Sequence, residues 1–228
     1  MVKSRKKRTD ELIETLAAGT PPALQGMGRR QRRAAETRLR LFRAALQLFA
    51  DRGLPNVTVE DITEAADVGK GTFFNYFDTK DHVLGVLAEL QIVRIREAVD
   101  WATSGKHSVY ATLHHLFLRL AQEPGKSPYL ARAVIASFLA SDVVRALIEE
   151  RMSEARALVA EVIAQGQKRG EIDVRLKRDS VALQLQQAIL GTVLVWSLHG
   201  ESKLTVWIEN SFRHFWRAIA ANPGAHAS

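Results

Sequence analysis

Residues 58–80 read TVEDITEAADVGKGTFFNYFDTK and carry the clearest structural signal in the chain. The hydroxyl of Thr58 can accept hydrogen bonds from the first free amides of a helix, and Asp61 lies near the positive end of that helix's dipole. The helix ends around residues 67–69, and a second helix begins at once with Lys70. Two short helices joined by about three residues predict a helix-turn-helix unit, whose second helix fits the major groove of DNA.

Longer helices are predicted on both sides of this unit. Residues 34–53 form an amphipathic helix closed by Gly53, because apolar groups recur on one face at helical spacing. Those groups are Leu41, Ala44, Ala45, Leu48 and Phe49. Thr79 caps a further helix, whose apolar face extends to Ile95. The pattern therefore predicts a helix-turn-helix DNA-binding domain, built on three helices, over residues 34–96.

The second helix of the unit has the composition of a DNA-reading helix. Lys70 and Asn75 can reach phosphates or base edges, while Gly71 and Thr72 are small enough for close approach. Phe73 and Phe77 are expected to anchor the helix to its apolar platform. Phe74 and Tyr76 are expected to lie along the DNA. The Tyr76 hydroxyl and the Lys80 ammonium suit phosphate contacts.

Positive charge is concentrated at the N-terminal end of the chain. The net charge is +7, but residues 1–43 hold twelve Lys or Arg against four acids, a local net of +8. Such a segment attracts polyanions, because binding releases the counterions of a phosphate backbone. We predict that residues 1–33 form a flexible basic arm that contacts DNA; a solvated tail without a partner is the alternative. The arm's predicted contacts are Arg29, Arg30, Arg32 and Arg33.

From about residue 107 the pattern is helical throughout, and neither a strand pattern nor an internal repeat is present, so we assign residues 97–222 to a helical ligand-binding and dimerisation domain. The predicted fold class is therefore all-α, with about nine helices and a larger helical domain behind the DNA-binding domain. A single recognition helix reads few base pairs, which favours a two-fold homodimer reading two half-sites. The last two helices carry more apolar surface than one core needs, so we place the dimer interface there. Its predicted residues are Leu190, Leu194, Trp207, Phe212 and Trp216.

The chain resembles the tetracycline-repressor (TetR) family over about 50 residues. The matching stretches are AALQLFADRG at 44–53, TVEDITEAADV at 58–68 and KGTFFNYFDTK at 70–80. The resemblance implies a homodimeric DNA-binding regulator, usually a repressor released from its operator by a small ligand, and DNA contact across a helix-turn-helix spanning 58–77. Three positions depart from the family pattern: Asp67 replaces a common glycine, Gly69 a capping Ser or Thr, and Phe74 a tyrosine. The predicted DNA-binding residues are Thr58, Lys70, Gly71, Thr72, Phe74, Asn75, Tyr76 and Lys80.

The larger domain is expected to hold an unknown small-molecule effector as well as the dimer interface. We place the effector pocket between the last two helices and those that precede them. The predicted pocket residues are Leu113, Phe117, Val134, Phe138, Met152 and Trp196.

Several functional classes find no support in the sequence. With no cysteine, thiolate metal sites, iron–sulfur clusters and cysteine nucleophiles are excluded. His114 and His115 point about 100° apart on a helix, and no acidic or cysteine partner has a matching spacing, so no metal site is predicted. No cofactor is predicted either. No catalytic set stands out, and we predict a cytoplasmic, non-enzymatic regulator, without a signal peptide or a membrane-spanning run. The alternatives are a nucleic-acid-associated protein with little sequence specificity and a helical enzyme without nucleic acid.

Overall fold

The computed structural model describes residues 28–122, 124–140, 142–199 and 203–221. These residues form nine α-helices, two short 3-10 helices (Leu54–Asn56 and Pro124–Lys126) and a single bridge between Ile172 and Ala220. The α-helices are α1 (Arg29–Arg52), α2 (Val59–Ala65), α3 (Lys70–Phe74), α4 (His82–Ser104), α5 (Val109–Ala121), α6 (Pro128–Ala140), α7 (Asp142–Lys168), α8 (Arg178–His199) and α9 (Leu204–Ile219). The prediction of an all-α fold with about nine helices is confirmed for this part of the chain.

Helix α1 begins at Arg29, five residues earlier than predicted. The boundary at 33 is therefore wrong, and the four arginines assigned to the arm lie on the first turns of α1. The sequence after Gly28 is RRQRRAAETR, which contains strong helix formers and no breaker. Arg32 also lies 3.7 Å from the Glu36 carboxylate, one helical turn away. The rest of the predicted arm, residues 1–27, lies outside the described residues.

A first core joins the N-terminal helices. Its buried side chains come from α1, α2, α3 and the start of α4, and Leu130 and Ala133 of α6 complete it. Ser127, which precedes α6, donates a hydrogen bond from Oγ to the Ala50 carbonyl oxygen at 2.7 Å, near the end of α1. The N-terminal domain is therefore tied to the rest of the protein through α6 as well as through α4.

A second core fills the C-terminal part of the molecule. In it helix α5 packs against the later half of α4 and against α7, α8 and α9. Leu113 and Phe117 on α5 are completely buried. The predicted domain boundary at 96 falls inside α4, which contributes Val83 to the first core and Ala98 to the second. One continuous helix therefore belongs to both cores.

Helix α8 is apolar on two faces. It is long and apolar enough to cross a membrane, with a mean hydropathy of 1.5 over an 18-residue window of which 39% is buried. One face packs into the second core through Leu185 and Ile189. The other face exposes Leu183, Leu194 and Leu198. The high hydropathy thus reflects one face against the core and a second face without cover in the single chain.

Candidate nucleic-acid interface and cavity

The turn unit begins with a complete capping box at Thr58. The Thr58 Oγ1 accepts a hydrogen bond from the Asp61 amide at 3.1 Å. The Asp61 carboxylate accepts in return from the Thr58 amide and hydroxyl, both at 2.7 Å. These hydrogen bonds from Thr58 hold the pKa of Asp61 below its ordinary value. The predicted cap is confirmed, and the Thr58 hydroxyl, predicted to contact DNA, is engaged within the cap.

The turn between α2 and α3 passes through a left-handed residue. Asp67 has φ of +51°, the conformation that glycine adopts at the least cost, and Asp is among the few other residues that tolerate it. The Val68 amide donates to the Thr63 carbonyl at 3.0 Å and closes the turn. Gly69 then caps α3 without a side-chain hydrogen bond. Two departures from the family pattern, Asp67 and Gly69, therefore lie in the turn itself.

Helix α3 is held by two buried rings and exposes the opposite face. Phe73 is fully buried, and its ring centroid lies 5.3 Å from that of Phe77 and 5.5 Å from that of Phe74. Phe74 itself is 43% exposed. The anchoring role predicted for Phe73 and Phe77 agrees with their burial. The outward face consists of Lys70, Gly71, Phe74 and Asn75, with Thr72 and Tyr76 half-buried beside it.

Two lysines near α3 are engaged by the protein. Lys70 forms an exposed ion pair with Glu60 of α2, and this hydrogen bond lowers the pKa of Glu60. The Lys80 ammonium donates to the carbonyl oxygens of Leu54 and Val57 at 2.8 and 2.7 Å. Lys80 was predicted to contact phosphate, but two of its three N–H groups support the 54–57 turn. Lys70 remains on the open surface, whereas Lys80 is half-buried.

Arg38 is a residue of this domain that the sequence analysis missed. It is 4% exposed, and its guanidinium lies 5.5 Å from the centroid of the Phe77 ring. Its position one turn before Leu41 and Phe42 on the apolar stripe of α1 was the available signal. Arg38 thus reinforces the platform under α3 through a cation–π contact.

A cavity of about 170 Å³ lies between α4, α6, α7 and α8. Its wall is apolar, apart from the side chains of Gln91 on α4, Arg151 and Arg156 on α7, and Gln186 on α8. Leu84 and Val134 line the cavity and also pack in or against the first core.

Two of the six predicted pocket residues, Val134 and Met152, line this cavity. Leu113, Phe117 and Trp196 do not, because they are buried among the helices of the second core. The side chain of Phe138 lies outside the described part of α6. The polar lining residues were not predicted from the sequence. A charged residue beside an apolar helical stripe ordinarily lies on the solvent-exposed side of the helix.

The predicted dimer residues fall into three environments. Phe212 and Trp216 are buried within the chain, where both rings contact the Tyr110 ring at centroid distances of 5.3 and 5.1 Å. Their assignment to a dimer interface is wrong, because α9 turns its large aromatic groups inward onto α5. Leu190 lines the cavity, Trp207 is half-buried against the second core, and Leu194 is 41% exposed. Leu194 shares its exposed face with Leu183, Val195 and Leu198.

The two adjacent histidines of α5 serve separate contacts. His114 Nε2 lies 2.8 Å from the Glu209 carboxylate of α9, and the His115 ring stacks on Trp101 of α4 at 4.7 Å. Among the residues that the structure describes, no group of three or more His, Asp or Glu side chains is placed to hold a metal ion.

Comparison with known proteins identifies the N-terminal domain. The family model of bacterial regulatory proteins of the tetR family matches residues 41–87. The HTH-type transcriptional regulator TcmR of Streptomyces glaucescens is 43% identical over 70 residues, 31% of this chain and 31% of the relative. The HTH-type transcriptional repressor KstR of Mycolicibacterium smegmatis is 28% identical over 107 residues, 47% of this chain and 52% of the relative. The matches therefore span less than two thirds of these curated relatives.

Similarity in fold to known structures covers most of the chain, beyond the part that matches in sequence. The crystal structure of Thermus thermophilus FadR, a TetR family transcriptional repressor in complex with lauroyl-CoA, superposes with a TM-score of 0.56 at 27% identity. The superposition covers 78% of this chain and 92% of that protein. It includes the helical region behind the DNA-binding domain, where pairwise sequence similarity is weak.

Proposed function

Because this chain carries the DNA-binding domain of the tetR family of bacterial regulatory proteins, and so belongs to that family, we propose that it is a ligand-responsive transcriptional repressor. In this proposal α3 reads a palindromic operator, and a small molecule in the cavity lowers the affinity for DNA. The observation that carries it is the exposed face of α3, held on buried Phe73 and Phe77, in a chain whose cavity shares wall residues with the first core.

Base reading is assigned to the exposed face of α3. Lys70, Thr72 and Asn75 supply donors and a methyl group for base edges, and Gly71 allows close approach. A Cβ added at Gly71 would meet nothing within 4 Å, so the free protein leaves this approach open. The Tyr76 hydroxyl and the third N–H of Lys80 are directed to phosphates, which position the helix without reading sequence. On binding, the Lys70 ammonium leaves its ion pair with Glu60 and contacts DNA instead.

The arginines at the start of α1 are assigned to the DNA backbone or the minor groove. Arg29, Arg30, Arg32 and Arg33 are exposed on the turns of α1 that precede its contacts with the first core. Exposed arginines on a helix can neutralise phosphates and release counterions, which adds affinity without selecting a sequence. In this proposal the four arginines contact DNA from a helix rather than from a flexible arm.

Dimerisation is assigned to the exposed apolar face of α8. The interface is centred on Leu194, with Leu183, Val195 and Leu198 on the same face. Apolar surface of this kind on one helix favours burial against a second copy, and two-fold symmetry doubles every contact. The dimer presents two copies of α3 to half-sites about one DNA turn, ~34 Å, apart.

Coupling between cavity and DNA is assigned to α4 and α6. Gln91 on α4 lines the cavity and also donates a hydrogen bond to the Leu120 carbonyl at the end of α5. Arg94 donates to the neighbouring Arg119 carbonyl at 2.7 Å. A ligand that prefers one arrangement of these helices shifts α4, and with it the spacing of the two recognition helices. The related FadR in complex with lauroyl-CoA supports a ligand site in this domain.

Selection of bound duplexes from a random pool tests the DNA-binding function with the full chain. We expect enrichment of an inverted repeat, bound in a large excess of competitor DNA. The variant Gly71→Leu should fold as the wild type does, because position 71 is exposed and a Cβ there meets nothing within 4 Å, and should lose the operator. A shuffled duplex of equal composition is the matched control. Binding that follows salt concentration alone, with no enriched sequence, would instead establish a nucleic-acid-associated protein of little specificity.

A further inference from the structure

The polar side chains that line the cavity are two arginines and two glutamines, and the oxygen atoms of both glutamines already accept hydrogen bonds from arginines. The Gln186 Oε1 accepts a hydrogen bond from Arg156 at 3.0 Å, and the Gln91 Oε1 accepts from Arg94 at 3.3 Å. The Arg151 Nε is buried and donates to no protein atom. Among the described side chains that line the cavity, none carries a carboxylate. The Gln91 amide already donates to the Leu120 carbonyl, so the N–H groups that a molecule in this cavity meets without an acceptor belong to the arginines and to Gln186.

Positive charge at the cavity also exceeds the negative charge that faces it. Arg151 donates to Glu154 at 2.9 Å, but Arg96 of α4 pairs with the same carboxylate. Burial alone would raise the pKa of Glu154, yet the hydrogen bonds from the two arginines outweigh it, lower the pKa and keep Glu154 ionised. For Arg156, the partner that the described residues provide is the neutral Gln186 amide. Its half-buried charge is therefore uncompensated.

The arginines and the apolar wall occupy one helix in a definite order. Ile148, Met152, Ala155 and Val159 recur along α7 at helical spacing and form its apolar stripe in the cavity. Arg151 and Arg156 flank this stripe, Arg151 toward α4 and Arg156 toward α8, as their partners Glu154–Arg96 and Gln186 show. An apolar body on the stripe therefore has a guanidinium at its edge.

We propose that the effector is an amphipathic anion: an apolar body fills the cavity, and a carboxylate or chemically similar oxyanion is held by Arg156 and the Gln186 amide. This inference rests on the proposed ligand-responsive function and names the class of ligand. Arginine binds a carboxylate through two parallel N–H groups, and such charge-assisted bonds are about twice as strong as neutral ones. A cation is excluded, because it would bring a second positive charge to a group with no carboxylate of its own.

The volume of the cavity determines the size of the ligands suitable for a binding test. An apolar protein cavity of about 150 Å³ binds benzene, so about 170 Å³ suits a single ring or a short alkyl chain. Octanoate, 1-octanol and octylamine share one chain and differ in the charge of the head. Calorimetric titration of each into the full chain without DNA is expected to give octanoate about tenfold or more tighter binding than 1-octanol. Octylamine should bind more weakly than either.

Variants separate an anion contact from a structural role. Arg156→Met should weaken octanoate about tenfold or more while changing 1-octanol by less than about twofold, and Arg156→Lys should restore part of the difference. Arg213→Met removes an exposed arginine from α9, outside the cavity, and should leave both affinities unchanged. Equal binding of octanoate and 1-octanol, preferred binding of octylamine, or an equal loss of both ligands in Arg156→Met would overturn the proposal.

The operator assay distinguishes this proposal from the proposed function. A chain that binds its operator but shows no preference for octanoate refutes the anionic ligand and leaves the repressor intact. A chain that prefers octanoate through Arg156, yet keeps its operator affinity when saturated with it, confirms the anion site and refutes ligand-induced release.

Discussion

The exposed face of α8 allows the dimer to be tested without disturbing the folded protomer. Leu183, Leu194, Val195 and Leu198 are 43%, 41%, 43% and 66% exposed, which together approach two whole side chains. At roughly 1.5–3 kcal/mol for full burial of each, they contribute about 3–6 kcal/mol per protomer and twice that for a symmetric pair. This range is comparable with the estimated ~4–15 kcal/mol cost of association, so the interface depends on every part of the face.

The decisive change is Gly191→Glu, in the middle of the same face. Position 191 is exposed and a Cβ there meets nothing within 4 Å, so we expect the protomer to tolerate the change, and replacing a helix glycine stabilises α8 by up to about 1 kcal/mol. In a two-fold dimer, however, two carboxylates are buried close to each other. Burial of each charge costs several kcal/mol, so the dissociation constant should rise by about a thousandfold or more.

Sedimentation velocity over a range of protein concentrations measures this shift, and circular dichroism verifies that the helices are retained. Ala157→Glu is the matched control, since it adds the same charge at an exposed position of α7. We expect the Gly191→Glu chain to be monomeric and to lose tight operator binding, and the Ala157→Glu chain to behave as the wild type. A Gly191→Glu protein that stays dimeric at low concentration refutes the interface on α8.

Four further predictions concern DNA binding, stability and pH. Lys70→Ala should cost roughly 1–3 kcal/mol of operator binding and relax the preference at one base position, as titrations against single-base operator variants would reveal. Deleting residues 1–27 should weaken binding and reduce its salt dependence while keeping the preferred sequence; an unchanged salt slope would contradict a DNA contact there. Phe73→Ala should destabilise the N-terminal domain by about 3–5 kcal/mol in denaturant unfolding, because the ring is completely buried. Because the pKa of Asp61 is lowered in the folded state, its stabilising effect is present at neutral pH and is lost as pH falls below the ordinary value of 3.8; Asp61→Asn should flatten the acid side of the stability profile.

The local rules of helix capping and spacing predicted the turn unit, although the helix that follows it begins after Asp81 and is not capped by Thr79 as predicted. The capping box of Thr58 and Asp61, the anchoring rings of Phe73 and Phe77 and the turn around Asp67 all depend on neighbours within a few residues. Such contacts are encoded directly in the sequence, because a helix fixes the spacing of its own side chains. The predicted start of α1 is five residues too late, because residues 29–33 combine high positive charge with high helix propensity and charge alone does not distinguish an arm from a helix.

The cavity and the dimer face depend on long-range packing, which spacing alone does not determine. Phe212 and Trp216 have the composition of an interface, but Tyr110, about one hundred residues earlier, packs against both rings. Leu113 and Phe117 share one stripe of α5, yet both side chains are completely buried in the second core rather than lining the cavity. An apolar stripe predicts that a face is buried without identifying what buries it.

The sharing of wall residues between the cavity and the first core provides a physical route for regulation. Filling an apolar cavity of about 170 Å³ recovers at most about 4 kcal/mol, at ~24 cal/mol per Å³. Couplings between ligand sites typically need only ~1–3 kcal/mol, so a fraction of this free energy suffices. Leu84 and Val134 contact the ligand space on one side and the first core on the other. Since Ser127 also ties the start of α6 to the end of α1, a rearrangement at the cavity reaches the DNA-binding domain by two helices rather than by α4 alone.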